Sequence, residues 1–353
     1  MALIEHLGAR PRVVVLRALG LGDTLTAVPA MRALAGAVPE LRLTVAMPAP
    51  LSALLDLAGL DADVVPRGGL DEPPPPGAVP LAVNLHGSGP QSHRWLAGVR
   101  PDRMVAFGCP EAGVGGPQWD DAEHERDRWC RLVAGELGVS ADPDDVRFHH
   151  VTHEPLLDGA GYAVVHPGAA SVARRWPVRR YADVVDDLVE RGLRVLVTGG
   201  PAERPLVDEL VRLSGNRAGV VATTGTDLDQ LARIVAGARL LVCGDTGLAH
   251  LASATGTPSV VLFGPTSPGT WGPPTTGPHR ALWHGATGNP HAAAVDPGLL
   301  AIGVPEVLAA TTDLLRLVSA PAPPARSGWR GGTSGRRSAS GAASRAAPLP
   351  ARP

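Results

Sequence analysis

The chain contains no lysine: all 32 of its cations other than histidine are arginine. Any anion it holds must be met by guanidinium groups, which can grip an oxyanion through two parallel hydrogen bonds. Cysteine is scarce as well. Cys109, Cys130 and Cys243 are scattered, with no Cys-x-x-Cys spacing, which argues against a disulfide framework and against a zinc site. A reducing compartment is the simplest expectation. The formal net charge is only -2, so neither a nucleic-acid footprint nor an acidic tail is implied. No apolar run reaches the length of a membrane span. Glu5 and His6 interrupt the N-terminus, and arginines follow at Arg10 and Arg12, so a signal peptide is not expected. The expected location is cytoplasmic, with peripheral association on the inner face of the membrane as an option.

At 353 residues the chain exceeds one typical core, and two domains are the expectation. In the first half, β-branched or apolar runs at 13–16, 43–47, 62–65 and 81–85 read as strands. Leu25, Val28, Met31 and Leu34 recur at helical spacing, with Pro29 inside the pattern as an expected kink. Further helices are expected at 51–58 and 123–137, and residues 70–80 read as a proline-rich loop. Acidic residues, Pro and Gly punctuate 138–160, and the domain boundary is placed there, at 155/156. A second alternation follows. Strands are expected at 162–166, 194–198, 220–223, 240–243 and 259–263, with helices at 178–191, 204–214, 228–236 and 248–255 and a closing helix at 304–318. Short strand-helix alternation means right-handed crossovers and parallel sheets. Residues 319–353 are Pro, Ala, Ser, Gly and Arg. They bring too little apolar surface to offset ordering entropy, so a disordered tail is expected.

Four clusters follow predicted strands, where ligands sit in open α/β sheets. Gly20-Leu21-Gly22-Asp23 is strand, tight turn, helix. It is not a dinucleotide fingerprint, because Leu25 stands where the third glycine is required, and no Gly-Lys-Ser/Thr makes it a phosphate loop. Asp23 is either an N-cap or a base facing a cleft, suited to taking a proton from an attacking hydroxyl. His166-Pro167-Gly168-Ala169-Ala170-Ser171 leads into Arg174-Arg175-Trp176-Pro177. That loop offers amides, the Ser171 hydroxyl and two guanidiniums, a set suited to a diphosphate; Trp176 reads as core. Thr198-Gly199-Gly200-Pro201-Ala202-Glu203 is another strand-to-helix turn. Glu203 either accepts from ribose hydroxyls or simply favours a helix N-terminus. Gly244-Asp245-Thr246-Gly247-Leu248-Ala249-His250 puts Asp245 and Thr246 at a helix start whose free amides can hold a phosphate. His250 lies four residues after Thr246, on the same face. Phe263-Gly264-Pro265-Thr266 is a rigid turn expected on the same sheet edge.

The ordered set resembles glycosyltransferase family 9, the ADP-heptose:lipopolysaccharide heptosyltransferases, over roughly residues 12–318. The most specific likeness is Asp245 to His250 followed by Phe263 to Thr266, then Gly20 to Asp23 with Pro29, then His166-Pro167-Gly168 with Trp176-Pro177; Asn84-Leu85-His86-Gly87 adds to it. The resemblance implies an α/β GT-B fold, two Rossmann-like domains whose parallel sheets face a central cleft. Residues 1–155 would bind the acceptor and 156–318 the nucleotide sugar. It implies an inverting transfer with no metal and no cofactor. Asp23 would be the general base. Gly22, Ser171, Arg174, Thr198, Gly199, Glu203, Asp245, Thr246, Gly247 and His250 would line the donor side. The family often carries a lysine before Trp-Pro, where this chain has Arg174. Asn84, His86 and Arg94, with Ser88, Gln91 and His93, either face the acceptor or form an ordinary polar loop. The partners implied are a nucleotide-sugar donor, with ADP-heptose expected from the resemblance, and a glycan, lipid-linked or secondary-metabolite acceptor. Two other activities suit the same architecture: a nucleotide-sugar epimerase and a non-catalytic nucleotide-sugar binding protein.

Overall fold

A computed structural model describes residues 10–151, 161–215, 219–285 and 287–319. The expected boundary at 155/156 lies outside the described residues. So does the expected tail, apart from Ser319, which closes the last helix.

The first half runs β1 (Arg12–Leu16), α1 (Leu21–Ala37), β2 (Arg42–Met47), α2 (Ala53–Leu57), β3 (Ala62–Pro66), β4 (Val79–Asn84), α3 (Pro90–Ala97), β5 (Pro101–Val105) and α4 (Glu125–Leu137). The second runs β6 (Tyr162–His166), α5 (Val178–Glu190), β7 (Arg194–Gly199), α6 (Arg204–Leu213), β8 (Val220–Thr224), α7 (Leu228–Ala236), β9 (Leu240–Gly244), α8 (Gly247–Thr255), β10 (Ser259–Phe263), α9 (Pro268–Trp271), β11 (His279–Trp283), α10 (Pro297–Ala301) and α11 (Val304–Ser319). The sheets are ordered β3-β2-β1-β4-β5 and β11-β10-β9-β6-β7-β8, and every pairing is parallel. Order reverses between β1 and β4 in one sheet and between β6 and β9 in the other. Connections leave opposite faces at such a point and open a crevice at the strands' carboxyl ends.

Both sheets are covered on two faces, so their central strands are apolar throughout rather than alternating. In β1, Val13 and Val15 pack with Val28, Met31 and Leu34 of α1 and Trp129 of α4, while Val14 and Leu16 pack with Trp95 and Leu96 of α3. In β6, Ala163 and Val165 meet α5, α6 and α11, and Tyr162 and Val164 meet α7 and α8. That last cluster also contains Leu25 of α1 and Leu54 and Leu57 of α2. The two halves therefore share one buried apolar seam along α1 and α8. Each such side chain contributes roughly 1.5–3 kcal/mol when fully buried, so the seam resists separation of the halves at this edge.

Several elements were not expected from the sequence. β5 exposes Asp102 and Arg103 and buries only Val105, so its pattern reads as a loop. β11 is a partly exposed edge strand. α3 is announced only by Pro90 at its first position. Pro29 sits inside α1, which runs through it as one helix.

Candidate active site

The two reversal points open into one cavity of about 620 Å³. Its walls come from the ends of β1, β6, β7 and β9 and the loops after them. Gly22, Asp23, Arg174, Glu203, Asp245, Thr246, Gly247 and His250 all line it.

Two helix starts meet here, and glycine is what lets them meet. A Cβ on Gly22 would lie 3.0 Å from His250 Cδ2, and one on Gly247 would lie 2.9 Å from Leu21 Cβ. The first turn of α1 thus rests directly on the first turn of α8. Each turn leaves amides free of intrahelical partners, and together they give the cavity positive ends of two helix dipoles.

Asp23 is not the N-cap that one reading of the sequence allowed. Gly20 occupies the cap position, α1 begins at Leu21, and no side chain caps it. Asp23 is the third helical residue, half-buried, and its carboxylate has no hydrogen-bond or ion-pair partner among the described residues. Only its backbone carbonyl is engaged, by Arg17 and by Thr26. The carboxylate folds back over Gly20, where a Cβ would sit 3.3 Å from Oδ2.

Asp245 differs. It is 4% exposed, and Arg174 Nη1 lies 3.6 Å from its Oδ2. The same nitrogen reaches its carbonyl at 3.4 Å. Burial raises the Asp245 carboxyl above its ordinary range, Arg174 and a hydrogen bond from Thr266 pull it back, and the neighbouring Asp23 pushes it up again. Arg174 Nε is buried and has no partner among the described residues. The arginine pair is thereby divided. Arg174 faces the cavity, whereas Arg175 Nε donates to the Ala169 carbonyl at 2.9 Å and braces the loop. Trp176 is core, as expected: it donates to the Ile302 carbonyl at 3.0 Å and meets Tyr181 edge-on.

Glu203 Oε2 accepts from the Gly200 amide at 2.8 Å and lies 3.6 Å from His166 Nε2. Burial lowers the His166 basicity, opposed by Glu203 and by the Thr198 contact. His250 packs edge-on against Trp271 with ring centroids 5.9 Å apart. Burial, with Arg126 and His124 nearby, lowers it to about 3, so at neutral pH it is an uncharged ring.

Other sequence candidates lie outside this wall. Thr198 is buried against His166, with a 3.2 Å contact to Nδ1. Gly199 belongs to the end of β7, and the Ser171 hydroxyl donates to the Pro290 carbonyl. On the β4 side, Asn84 is fully buried. Its amide donates to Ser92 Oγ at 3.0 Å and its oxygen accepts from the His86 amide at 3.0 Å. His93 is likewise buried and reaches the Phe107 carbonyl at 2.9 Å. Asn84 and His93 therefore build the turn between β4 and α3. Arg94 is exposed and donates to the Glu111 carbonyl at 3.0 Å. His86 is half-buried near Arg17 and lowered to about 4 by desolvation. Its Nδ1 has no partner among the described residues.

The sequence reading missed Leu231, Trp271, Pro290 and His291, which complete the wall. Leu231 comes from the apolar face of α7, and Pro290 and His291 from a segment tied across the C-terminal half. Asp296 donates its amide to the Ala173 carbonyl at 3.1 Å, and Gly288 donates to Pro265 at 2.8 Å. No local pattern marks such a strap. Asp-x-Asp pairs occur at Asp61/Asp63, Asp142/Asp144 and Asp227/Asp229, and none of them lines the cavity. Among the described residues no group of three His, Cys, Asp or Glu is arranged to hold a metal ion.

Residues 121–291 match the model of glycosyltransferase family 9 (heptosyltransferase). That stretch is similar to glycosyltransferase family 9. Lipopolysaccharide heptosyltransferase 1 of Pseudomonas aeruginosa is 34% identical over 154 residues, 42% of each chain. The Escherichia coli K12 protein of the same name is 31% identical over 155 residues, 42% of this chain and 47% of that one. The matched stretch thus spans less than half the length of these curated relatives. Among solved structures, E. coli ADP-heptose lps heptosyltransferase II superposes with a TM-score of 0.70 at 19% identity, over 88% of this chain and all of that one. E. coli heptosyltransferase WaaC with ADP superposes with a TM-score of 0.65 at 18% identity, over 86% of this chain and 99% of that one. The fold is GT-B.

Proposed function

We propose that this chain is a family 9 glycosyltransferase that transfers a heptose from ADP-heptose to a hydroxyl of a lipid-linked glycan, with inversion and without a catalytic metal. One observation carries the reading: an unpaired carboxylate, Asp23, shares a cavity with a helix start and an arginine suited to a diphosphate. The family match over residues 121–291 and the names of the curated relatives support the donor and the acceptor class.

In this reading the diphosphate sits against the free amides of Thr246 and Gly247 and the Arg174 guanidinium. Charge that builds on the leaving group is stabilised there. The anomeric carbon becomes oxocarbenium-like. The acceptor hydroxyl attacks from the opposite face while Asp23 takes its proton. Glu203 meets the ribose with the oxygen that the Gly200 amide leaves free. Ser171, Thr198 and Gly199 act behind the wall, by setting the loops. Residues 1–155 hold the acceptor, with His86 and Arg94 on that side and Asn84 shaping the turn that carries His86. Residues 156–318 hold the donor. Work on a lipid-linked acceptor fits a cytoplasmic protein at the inner membrane face; among the described residues no helix is long and apolar enough to cross a membrane.

The test is incubation with ADP-heptose and heptose-free lipopolysaccharide, following ADP release and the glycan product. Transfer that survives a chelator, with inverted anomeric configuration by NMR, is expected. A product formed without acceptor would mark an epimerase, and donor binding with no turnover would mark a non-catalytic binder. Either outcome overturns the proposal.

A further inference from the structure

Arg17 closes β1 and is completely buried, with 0% exposure. It fills no donor or acceptor wall. Its Nε donates to the Asp23 carbonyl at 2.8 Å, and Nη2 donates to the same oxygen. Nη2 also reaches Thr26 Oγ1 at 3.2 Å and Glu125 Oε1 at 3.1 Å. Nη1 donates to the Leu85 carbonyl at the end of β4. One side chain therefore ties together β1, the first turn of α1, the end of β4 and the first turn of α4. Glu125 is 5% exposed and also accepts from Trp129 Nε1 at 2.8 Å and from Arg128. A buried ion pair is a poor way to add stability, because apolar residues of similar volume fill such space as well or better. Its geometry is what apolar residues lack, since five donors in a rigid fork fix the carbonyls they bind.

The carbonyl that Arg17 grips with two nitrogens is that of Asp23. We propose that Arg17 is a positioning residue for the Asp23 carboxylate, held in place by Glu125. This rests on the reading of Asp23 as the base. The mechanism is orientational. Pro29 removes one amide from the ladder of α1, and Gly20 and Gly22 loosen its entry, so helix propensity alone holds the first turn weakly. Arg17 clamps that turn against the sheet edge and leaves the carboxylate free. Arg17 and Asp23 also attract each other through space. The first turn of α4 reaches the opposite wall as well: His124 Nε2 contacts the Gly272 carbonyl at 3.0 Å, next to Trp271. The same turn thus braces the base side and the aromatic side of the cavity.

The test uses the full chain, ADP-heptose and heptose-free lipopolysaccharide. Arg17→Met, Arg17→Lys and Glu125→Gln are compared with Asp23→Asn. Arg17→Met is expected to lower kcat by about 30- to 100-fold, the cost of a small misplacement of a reacting group. The ADP-heptose Kd by calorimetry should stay within about twofold, because Arg174, Glu203 and the start of α8, which would hold the diphosphate and ribose, lie on other elements. Arg17→Lys should recover kcat only in part, because one ammonium cannot span the Asp23 and Leu85 carbonyls. A folded Arg17→Met with wild-type kcat overturns the proposal. If Arg17→Met does not fold, Arg17→Lys decides, and wild-type kcat in it is equally fatal. Asp23→Asn separates the two ideas. Full transfer by Asp23→Asn removes the base reading itself. Its loss, with Arg17 variants at wild-type kcat, removes only the positioning role.

Discussion

Asp23 and Asp245 stand in matching places, each after a glycine, each at a helix start beyond a strand next to the reversal point of its sheet. Their surroundings differ. Asp245 is almost fully buried and paired with Arg174, and it receives a hydrogen bond from Thr266. Asp23 is half-buried, and its carboxylate has no partner among the described residues. The residues around Asp245 lie inside the stretch that matches the family model, while Asp23 lies outside it. A paired acid is a scaffold for a binding site. An unpaired acid whose own backbone is clamped is a group kept available for chemistry. In the proposed reading the same residue type at the same topological place does two jobs, and its partners decide which.

The comparison breaks most sharply at Asp23. Asp23→Asn is expected to reduce kcat by about 10²- to 10⁴-fold, the usual contribution of a general base. Stability should change by less than about 0.5 kcal/mol, because no internal bond to that carboxylate is lost. Wild-type turnover by this variant would end the distinction. Asp245→Asn should show the reverse pattern. Donor affinity is expected to fall about 30-fold while kcat for bound donor changes little. Removing the partner of Arg174 should also cost about 1–3 kcal/mol of stability, less than a fully buried pair because Arg174 is partly open to solvent. Calorimetry and thermal unfolding on one preparation check both halves of that statement.

Acid tests the buried histidines. His250, which lines the cavity, is held near 3, and His279, at the start of β11, near 4, both by burial. A histidine whose folded value lies below its unfolded value favours folding when neutral. That stabilisation is complete above about pH 6.5 and drains away as pH falls toward the folded value. His250 alone gives a slope approaching about 1.4 kcal/mol per pH unit in that window. The unfolding temperature should therefore drop steadily between pH 7 and pH 5, and His250→Asn should flatten the drop. A melting temperature independent of pH over this range would contradict it. The seam between the halves gives a smaller effect. Gly247→Ala places a methyl 2.9 Å from Leu21 Cβ, and overpacking of that kind costs about 1–3 kcal/mol. Gly36→Ala, where a Cβ meets nothing within 4 Å, is the matched control in a differential scanning experiment.

Much of this was legible in the sequence, and the exceptions share a cause. The central strands were readable because parallel strands covered on both faces are apolar throughout. Val13 to Leu16 and Leu240 to Cys243 are examples. The edge strands β5 and β11 were not, since one-sided burial leaves them a mixed pattern. The cavity residues that follow strand ends directly, Asp23, Arg174, Glu203 and Asp245, were singled out from turn chemistry together with the family resemblance. Pro290 and His291 were not, because their place depends on backbone bonds across the fold. Arg17 shows the same limit. Nothing in a lone arginine after a strand reveals that its partner stands 108 residues away at Glu125. Asn84 shows the opposite error: a polar residue at a strand end looked ligand-facing, and the fold uses it to shape a turn.

The smallest effect concerns the missing lysine. Arg174 stands where the family resemblance expects a lysine, and the structure shows what that exchange preserves. A single nitrogen, Nη1, makes both contacts to Asp245. An ammonium at that point could replace it, so Arg174→Lys should keep the pair and leave the melting temperature nearly unchanged. Nε is different. It is buried, has no partner among the described residues, and belongs to a side chain that lines the cavity. If the donor's diphosphate satisfies it, lysine loses one charge-assisted bond, and donor affinity should fall about 3- to 10-fold with kcat unchanged. If affinity holds within experimental error, Nε meets something other than the donor. The guanidinium would then be a plain replacement for the ammonium, and the departure from the family pattern would carry no consequence for binding.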